Sequence, residues 1–335
     1  MIKPLISICF PIFNRKRVFT HSLNSFLKAS ANVYNYIEIV ISDNFSSDDI
    51  TSVVNNAKSE FPNIKIVYSK NQFNKGLANN YVDVVSKASG KYCWIVGSDD
   101  FVFLNSIEII IGSLLKNENV DLITMDFDTR HVDEIIREKI NNNKILDPFE
   151  ITSGTSDDFI HNRFNNLFLG SMMVVLFKKE IWDGYFFNPK KLNGFDSIYN
   201  IYPHVVVFAN CFLKKKAIRI NTKLILAGYG SREWSTDQGV SFWDSSLPLI
   251  ILNVYCQIAN EYRFNNLEYL SQKSIDEFVS RSLGLYFLPF LYRLLFFKRI
   301  KDKNKIRLKI MVRFIFNFEF LKSLIKTISK KLRGN

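Results

Sequence analysis

Asp99 and Asp100 are the residues of this sequence best placed to do chemistry. They stand in "KYCWIVGSDDFVF" (Lys91 to Phe103), where a mostly apolar run enters Ser98-Asp99-Asp100 and the chain turns apolar again at once. Two adjacent carboxylates beside a buried strand are costly to desolvate unless something cationic sits between them. A turn open to bulk water meets that need, and so does a metal ion at the end of a sheet. Mg²⁺ or Mn²⁺ takes oxygen ligands and bridges to phosphates. Its charge offsets the charge that develops on a diphosphate leaving group.

The surrounding elements favour the ion. Leu5 to Phe10 is a short apolar run ended by Pro11, and it predicts a buried strand. Val18, Phe19, Leu23, Phe26 and Leu27 have helical spacing. Ile37 to Ser42 is the next strand, followed by a polar turn in which Ser47 or Asp48 suits a helix cap. Ile64 to Tyr68 is a third strand, and "GLANNYVDVVSKASG" is a helix ended by Gly90. Tyr92 to Val96 and Asp121 to Asp126 complete the alternation. Strands alternating with helices predict an α/β, doubly wound, mostly parallel sheet. Ligands bind such sheets at the carboxyl ends of the strands. That rule puts Pro11-Asn14-Arg15, Asp43-Asn44 and Ser98-Asp99-Asp100 on one rim. Beyond Asp126 the rhythm weakens. Arg130 to Asn143 reads as a surface hairpin or loop, Gly170 to Asp183 as a strand and short helix, and Ile201 to Lys215 as a helix with Pro203 in its first turn.

The chain has 335 residues, 47% of them hydrophobic, enough for a sizeable core. Its net charge is +12, yet Arg281 to Asn335 alone carries fifteen Lys and Arg against Asp302 and Glu319. The body is therefore near neutral, and only the tail calls for an anionic partner. From Lys305, basic positions such as Lys309, Arg313, Lys322 and Lys326 recur over a broad apolar face containing Phe314, Phe318, Leu321, Ile325 and Ile328. A terminal helix packed on the body fits that pattern, but the excess of cations suits a basic amphipathic helix in an anionic membrane interface. No segment offers the roughly 18 uncharged apolar residues of a membrane span. The N-terminal run, broken by Pro4 and Pro11, makes a poor signal peptide. Cys9, Cys93, Cys211 and Cys256 are scattered, which points to separate thiols in a reducing compartment.

"PIFNR", "ISDNFSSDD", Asn74-x-Gly76 with Asn80, and "SDD" occur in order over about 95 residues. Together they resemble the nucleotide-sugar-binding half of glycosyltransferase family 2, the GT-A fold. "GKYCWIVGSDD" and "YPHVVVFANCF" are similar to O-antigen abequosyltransferases, which move a 3,6-dideoxyhexose from a CDP donor in lipopolysaccharide assembly. The likeness runs over most of the first 230 residues. It implies a GT-A domain over 1–240, with a donor half at 1–105 and an acceptor half at 106–240. A basic helical, membrane-associating region over 241–335 would follow. The enzyme would be cytoplasmic and peripheral on the inner face of the membrane, acting on a lipid-linked oligosaccharide.

Position by position, the resemblance implies that Pro11, Asn14 and Arg15 line the nucleotide pocket. Asp43 would accept from base or ribose, although it reads equally as a helix cap. Asn74, Gly76 and Asn80 would let backbone approach the nucleotide. Asp100, with Asp99, would hold the metal. Ser98 stands where many members carry another aspartate, which removes one possible ligand. No Glu-Asp pair marks the catalytic base. His204, at a helix start, has a suitable intrinsic pKa, but it also suits a buried structural role. Asp196 is the alternative base, and a retaining enzyme needs neither. Arg232, in a loop from Gly228 to Trp243 with glycine hinges, is a candidate to close over the diphosphate. "GYGSRE" lacks a third glycine and argues against a nicotinamide enzyme. UDP- or GDP-hexose donors in capsule or other surface-polysaccharide synthesis remain alternatives on the same fold. A non-catalytic module gripping an anionic polymer is the alternative of another class. The near-neutral body and the strand-end carboxylates count against it and against nucleic acid.

Overall fold

The computed structural model describes residues 3–139, 142–145, 148–161, 171–185 and 203–230, with a few positions between 320 and 329. One compact unit takes Met1–Phe159, Ser171–Leu192 and Cys211–Ser231, and a second takes Ile160–Gly170, Asn193–Asn210 and Arg232–Asn335. The first unit begins with three strand-helix repeats. These are β1 (Ile6–Ile12), α1 (Lys16–Ser30), β2 (Ile37–Asp43), α2 (Ile50–Glu60), β3 (Lys65–Lys70) and α3 (Leu77–Ser86). There follow β4 (Tyr92–Ile95), β5 (Asp100–Val102), α4 (Ser106–Lys116), β6 (Leu122–His131), α5 (Val132–Glu138), β7 (Ile151–Thr155), β8 (Val175–Lys178), α6 (Lys179–Asp183) and β9 (Lys216–Tyr229). The second unit holds α7 (Pro203–Cys211) up to Asn210.

The strands form one sheet in the order β3-β2-β1-β4-β8-β6-β9-β5, with β7 also on β9. The first four are parallel, as the alternation of strands and helices predicts. β8 then runs antiparallel to both β4 and β6, and β5 and β7 run antiparallel to β9. β1 and β2 are buried on both faces, which is why they read as unbroken apolar runs. Phe10 meets Phe19 and Phe26 edge to face, and Phe26 meets Trp94, with centroids 5.1–5.5 Å apart, which ties α1 to the sheet. Cys9 and Cys93 are buried free thiols, as their apolar settings predict.

Several elements depart from the sequence expectation for local reasons. β1 runs through Pro11 to Ile12, because the ladder with β4 has already ended at Cys9 and Ile95. The missing proline donor therefore breaks no pairing. The cap of α2 is Asp49, whose Oδ1 accepts from Ser52 N at 3.0 Å, rather than Ser47 or Asp48. α3 ends at Ser86, and Gly90 crosses β1, its N–H donating to Ser7 Oγ at 2.8 Å. The stretch expected as a loop from Arg130 continues β6 to His131 and then forms α5. Val132 and Ile135 bury that helix against Val18, Phe101 and Leu226. Among the described residues no helix is long and apolar enough to cross a membrane.

Candidate active site

The carboxyl ends of β1, β2 and β3 are knitted into one rim by short polar side chains. Asn14 follows β1 at φ 50°, a region asparagine tolerates better than bulkier residues. Its Oδ1 accepts from Ser47 N at 2.7 Å, and its N–H donates to Ser46 Oγ at 3.0 Å. Asp48 Oδ2 accepts from Lys16 N at 2.6 Å, satisfying an orphan donor at the start of α1. The loop after β2 thus fixes the residues on either side of Arg15.

Asp43 is fully buried. Its Oδ1 accepts from Ser46 N at 2.8 Å, and its Oδ2 accepts from Tyr68 Oη at 3.1 Å with Lys70 Nζ 3.9 Å away. It therefore closes the β2 turn, and α2 takes its cap from Asp49. Asn44, 3% exposed, uses its whole amide. Nδ2 donates to Asn74 Oδ1 at 2.7 Å and Gly76 O at 3.3 Å, while Oδ1 accepts from Lys75 N at 2.9 Å and Asn71 Nδ2 at 3.3 Å. Gly76 precedes α3 at φ 83°, a conformation that favours glycine. From α3, Asn80 Nδ2 donates to Ser42 O at 3.0 Å, holding the end of β2, and its Oδ1 is buried without a hydrogen-bond partner among the described residues.

The two carboxylates of the opening motif have different surroundings. Asp99 Oδ2 is 2.8 Å from Arg15 Nη1, so the cation beside this pair includes a side chain from the β1 loop. Asp100 begins β5 and is 7% exposed. Its Oδ2 accepts from Gly97 N at 2.6 Å, and its backbone oxygen accepts from Ser22 Oγ. Burial, and then the negative charge of Asp99, push its pKa up to about 7. A strongly disfavoured charge on a hard oxygen donor is what a divalent cation would relieve, so these residues fit Mg²⁺ or Mn²⁺. Among the described residues no third His, Cys, Asp or Glu joins them. An ion held here would take most of its ligands from outside these two side chains.

The edge of this site is set by β9. Asp100 pairs with Ala227, and Gly228 N donates to Asp99 O at 3.0 Å. A Cβ on Gly228 would overlap Asp99 O and the Val132 side chain. Gly228 is therefore a strand residue required by close approach and not a hinge. Gly228→Ala should displace Asp99, and a misplacement near 1 Å can cost about 10²-fold in turnover. Turnover within twofold of wild type would show that Asp99 tolerates the shift.

Of the residues singled out in sequence, Pro11, Asn14, Arg15, Asp43, Asn74, Gly76, Asn80, Asp99 and Asp100 belong to the first unit, at or beside the carboxyl ends of β1–β4. His204 belongs to the second unit, on α7, where residues 203–209 are all buried and its ring lies 6.1 Å from Phe208. Asp196, Arg232 and most of the basic tail lie outside the described residues. Sequence reading gave no role to Asn44, Tyr68, Lys70 or Gly97. Only Asn44 had a signal, its place beside Asp43 after a strand.

A family model described as glycosyl transferase family 2 matches residues 7–179. Over 222 residues the chain is 29% identical to abequosyltransferase RfbV of Salmonella typhimurium, covering 62% of this chain and 61% of that one. Over 145 residues it is 30% identical to the UDP-Glc:alpha-D-GlcNAc-diphosphoundecaprenol beta-1,3-glucosyltransferase WfgD of Escherichia coli, covering 43% and 50%. The matches thus span about half to three fifths of these relatives. Among solved structures, S. aureus TarS 1–349 with UDP-GlcNAc superposes with a TM-score of 0.58 at 14% identity, over 93% of this chain and 80% of that one. Mannosyltransferase PcManGT of Pyrobaculum calidifontis, with GDP-Man and Mn2+, gives 0.56 at 12% identity, over 99% and 88%. Those two likenesses show the shared fold. With more than half of its length matched by the family model, the chain belongs to glycosyl transferase family 2.

Proposed function

We propose that this chain is a glycosyltransferase that moves a sugar from a nucleotide-sugar to a lipid-linked oligosaccharide during O-antigen or related surface-polysaccharide synthesis. The observation that carries this reading is the single rim. On it the knitted loops after β1–β3 reach Asp99 through Arg15, next to Asp100, a buried aspartate whose charge is strongly disfavoured. Likeness to the abequosyltransferase of Salmonella supports abequose as the sugar, and we take CDP as its carrier from the motif resemblance. Likeness to the E. coli relative supports UDP-glucose as a second reading. We assign the donor half to residues 1–105, the acceptor half to 106–240 and the membrane-associating region to 241–335.

In the reaction, the acceptor hydroxyl oxygen bonds to the anomeric carbon. The bond from that carbon to the diphosphate oxygen breaks, and its electron pair leaves with the diphosphate. A Mg²⁺ or Mn²⁺ ion at Asp100 and Asp99 would supply positive charge against that leaving group. Arg15 holds Asp99 in place. Asn74, Gly76 and Asn80 order the backbone against which the nucleotide lies. If configuration inverts, a base must take the hydroxyl proton, and the sequence offers His204 and Asp196 as candidates. A thermal-shift screen of CDP-, UDP- and GDP-sugars with Mn²⁺ tests the reading. A ligand at 100 times its Kd stabilises by about 2.7 kcal/mol. Absence of any shift across the panel would contradict donor binding.

We infer membrane attachment through the tail from its charge, a reading that its few described positions support. Phe320 is buried, whereas Leu321, Ile325 and Ile328, spaced as one helical face, are exposed. Each Lys or Arg near an anionic surface contributes about 1 kcal/mol. The intact protein should sediment with anionic vesicles at low salt and be released in part as salt rises. A chain cut near Tyr286 should stay in the supernatant and still bind nucleotide. Equal partitioning of both would make the tail structural.

A further inference from the structure

Beside the two carboxylates, an exposed aromatic ring lies outside every role assigned above. Tyr229, 55% exposed, ends β9. Two strand registers define its surroundings. Asp100 is the partner of Ala227 on antiparallel β5, so Tyr229, two residues on, belongs to the same face as a diagonal neighbour of Asp100. Such neighbours stand about 7–8 Å apart. On the other side of β9, His131 is the register partner of Tyr229 on β6. Their rings meet edge to face at 5.5 Å and 87°.

Two glycines permit this placement. Gly228 lets β9 close on the Asp99 backbone, and Gly230, at φ 76°, leaves room for the His131 ring, which a Cβ there would overlap. The imidazole is oriented from behind, because His131 Nδ1 accepts from Asp133 N at 3.3 Å as the cap of α5. With Nδ1 accepting, Nε2 is the ring nitrogen left to carry a hydrogen and donate. A flat apolar face next to a ring N–H donor complements a pyranose, which has apolar C–H faces and hydroxyls around its edge.

We infer that Tyr229 and His131 form a platform for the donor's sugar ring, with Tyr229 stacking on the pyranose and His131 Nε2 donating to one of its hydroxyls. The inference rests on the proposed donor site, because only a diphosphate held at Asp100 would bring the attached sugar near Tyr229. It extends donor recognition beyond residues 1–105 to β6 and β9, within the half assigned above to the acceptor, so that the sugar and the nucleotide are met by different strands.

The test compares a nucleotide with its own sugar conjugate by calorimetry on the intact protein with Mn²⁺, using CDP against CDP-glucose and UDP against UDP-glucose. Covering the exposed Tyr229 ring should be worth about tenfold in affinity. Tyr229→Ala should therefore weaken the sugar conjugate about tenfold and leave the free nucleotide unchanged, while Tyr229→Phe keeps both. Equal weakening of nucleotide and conjugate, or no change in either, would overturn the platform while the donor site stands. A wild-type protein that binds no nucleotide at all would overturn the donor site and the platform with it.

Discussion

Asp100→Asn should lower turnover by about two orders of magnitude or more and, at pH 8, should raise the melting temperature. Both effects have one cause. The side chain is buried beside Asp99, and its pKa stands near 7 against an ordinary 3.8. Between those values the folded chain keeps a proton that the unfolded chain has released. The stability this group contributes is complete below the unfolded pKa and is lost as pH rises through the folded one. Above pH 7 the wild-type protein carries a buried negative charge at Asp100 beside that of Asp99, and Asn removes it. The difference is on the order of a few kcal/mol. It should be present in melts at pH 8 and absent at pH 4, where Asp100 is protonated. Mn²⁺ at pH 8 should raise the wild-type melting temperature more than that of the variant. A variant with wild-type turnover would remove Asp100 from the reaction, and one no more stable at pH 8 would contradict its raised pKa.

Asn44→Ala should cost about 2–3 kcal/mol of stability and abolish most nucleotide affinity. The amide spends both donors and both acceptor positions on the 71–76 loop, in a 3% exposed position. Alanine leaves the Lys75 N–H without that acceptor and unties the loop carrying Asn74 and Gly76 from β2. Asn44→Asp keeps the acceptor and loses the two donors, so it should fall between. Urea denaturation and nucleotide titration measure both effects. A loss under about 0.5 kcal/mol, the size of an ordinary surface change, would mean that the two loops hold together without it.

What was legible in the sequence follows from how each signal is encoded. β1, β2 and β4 are buried on both faces and therefore announce themselves as apolar runs. Their rim residues could be located because strand ends are easy to find. β5 was not visible. It has three residues, and it exists because β9, more than a hundred residues away, supplies its partner. The same strand explains why Gly228 read as a hinge: the close approach to Asp99 is a tertiary fact. α5 was hidden by its charged outer face, although Val132, Ile135 and Ile136 carried a helical signal that the charges masked. The Arg15–Asp99 pair, 84 residues apart in the chain, could be guessed from residue types but not from spacing. Asp43 was found correctly on the rim, while its bonds to Ser46 and Tyr68 depended on a turn and a neighbouring strand.

The most direct measurement of the central claim is release of nucleoside diphosphate from a panel of CDP-, UDP- and GDP-sugars, without acceptor, by the wild-type protein and Asp100→Asn. Slow release is expected from at least one donor, dependent on Mg²⁺ or Mn²⁺ and reduced about a hundredfold or more in the variant. Release that is unaffected by excess EDTA and by Asp100→Asn, or no release from any donor, would contradict it.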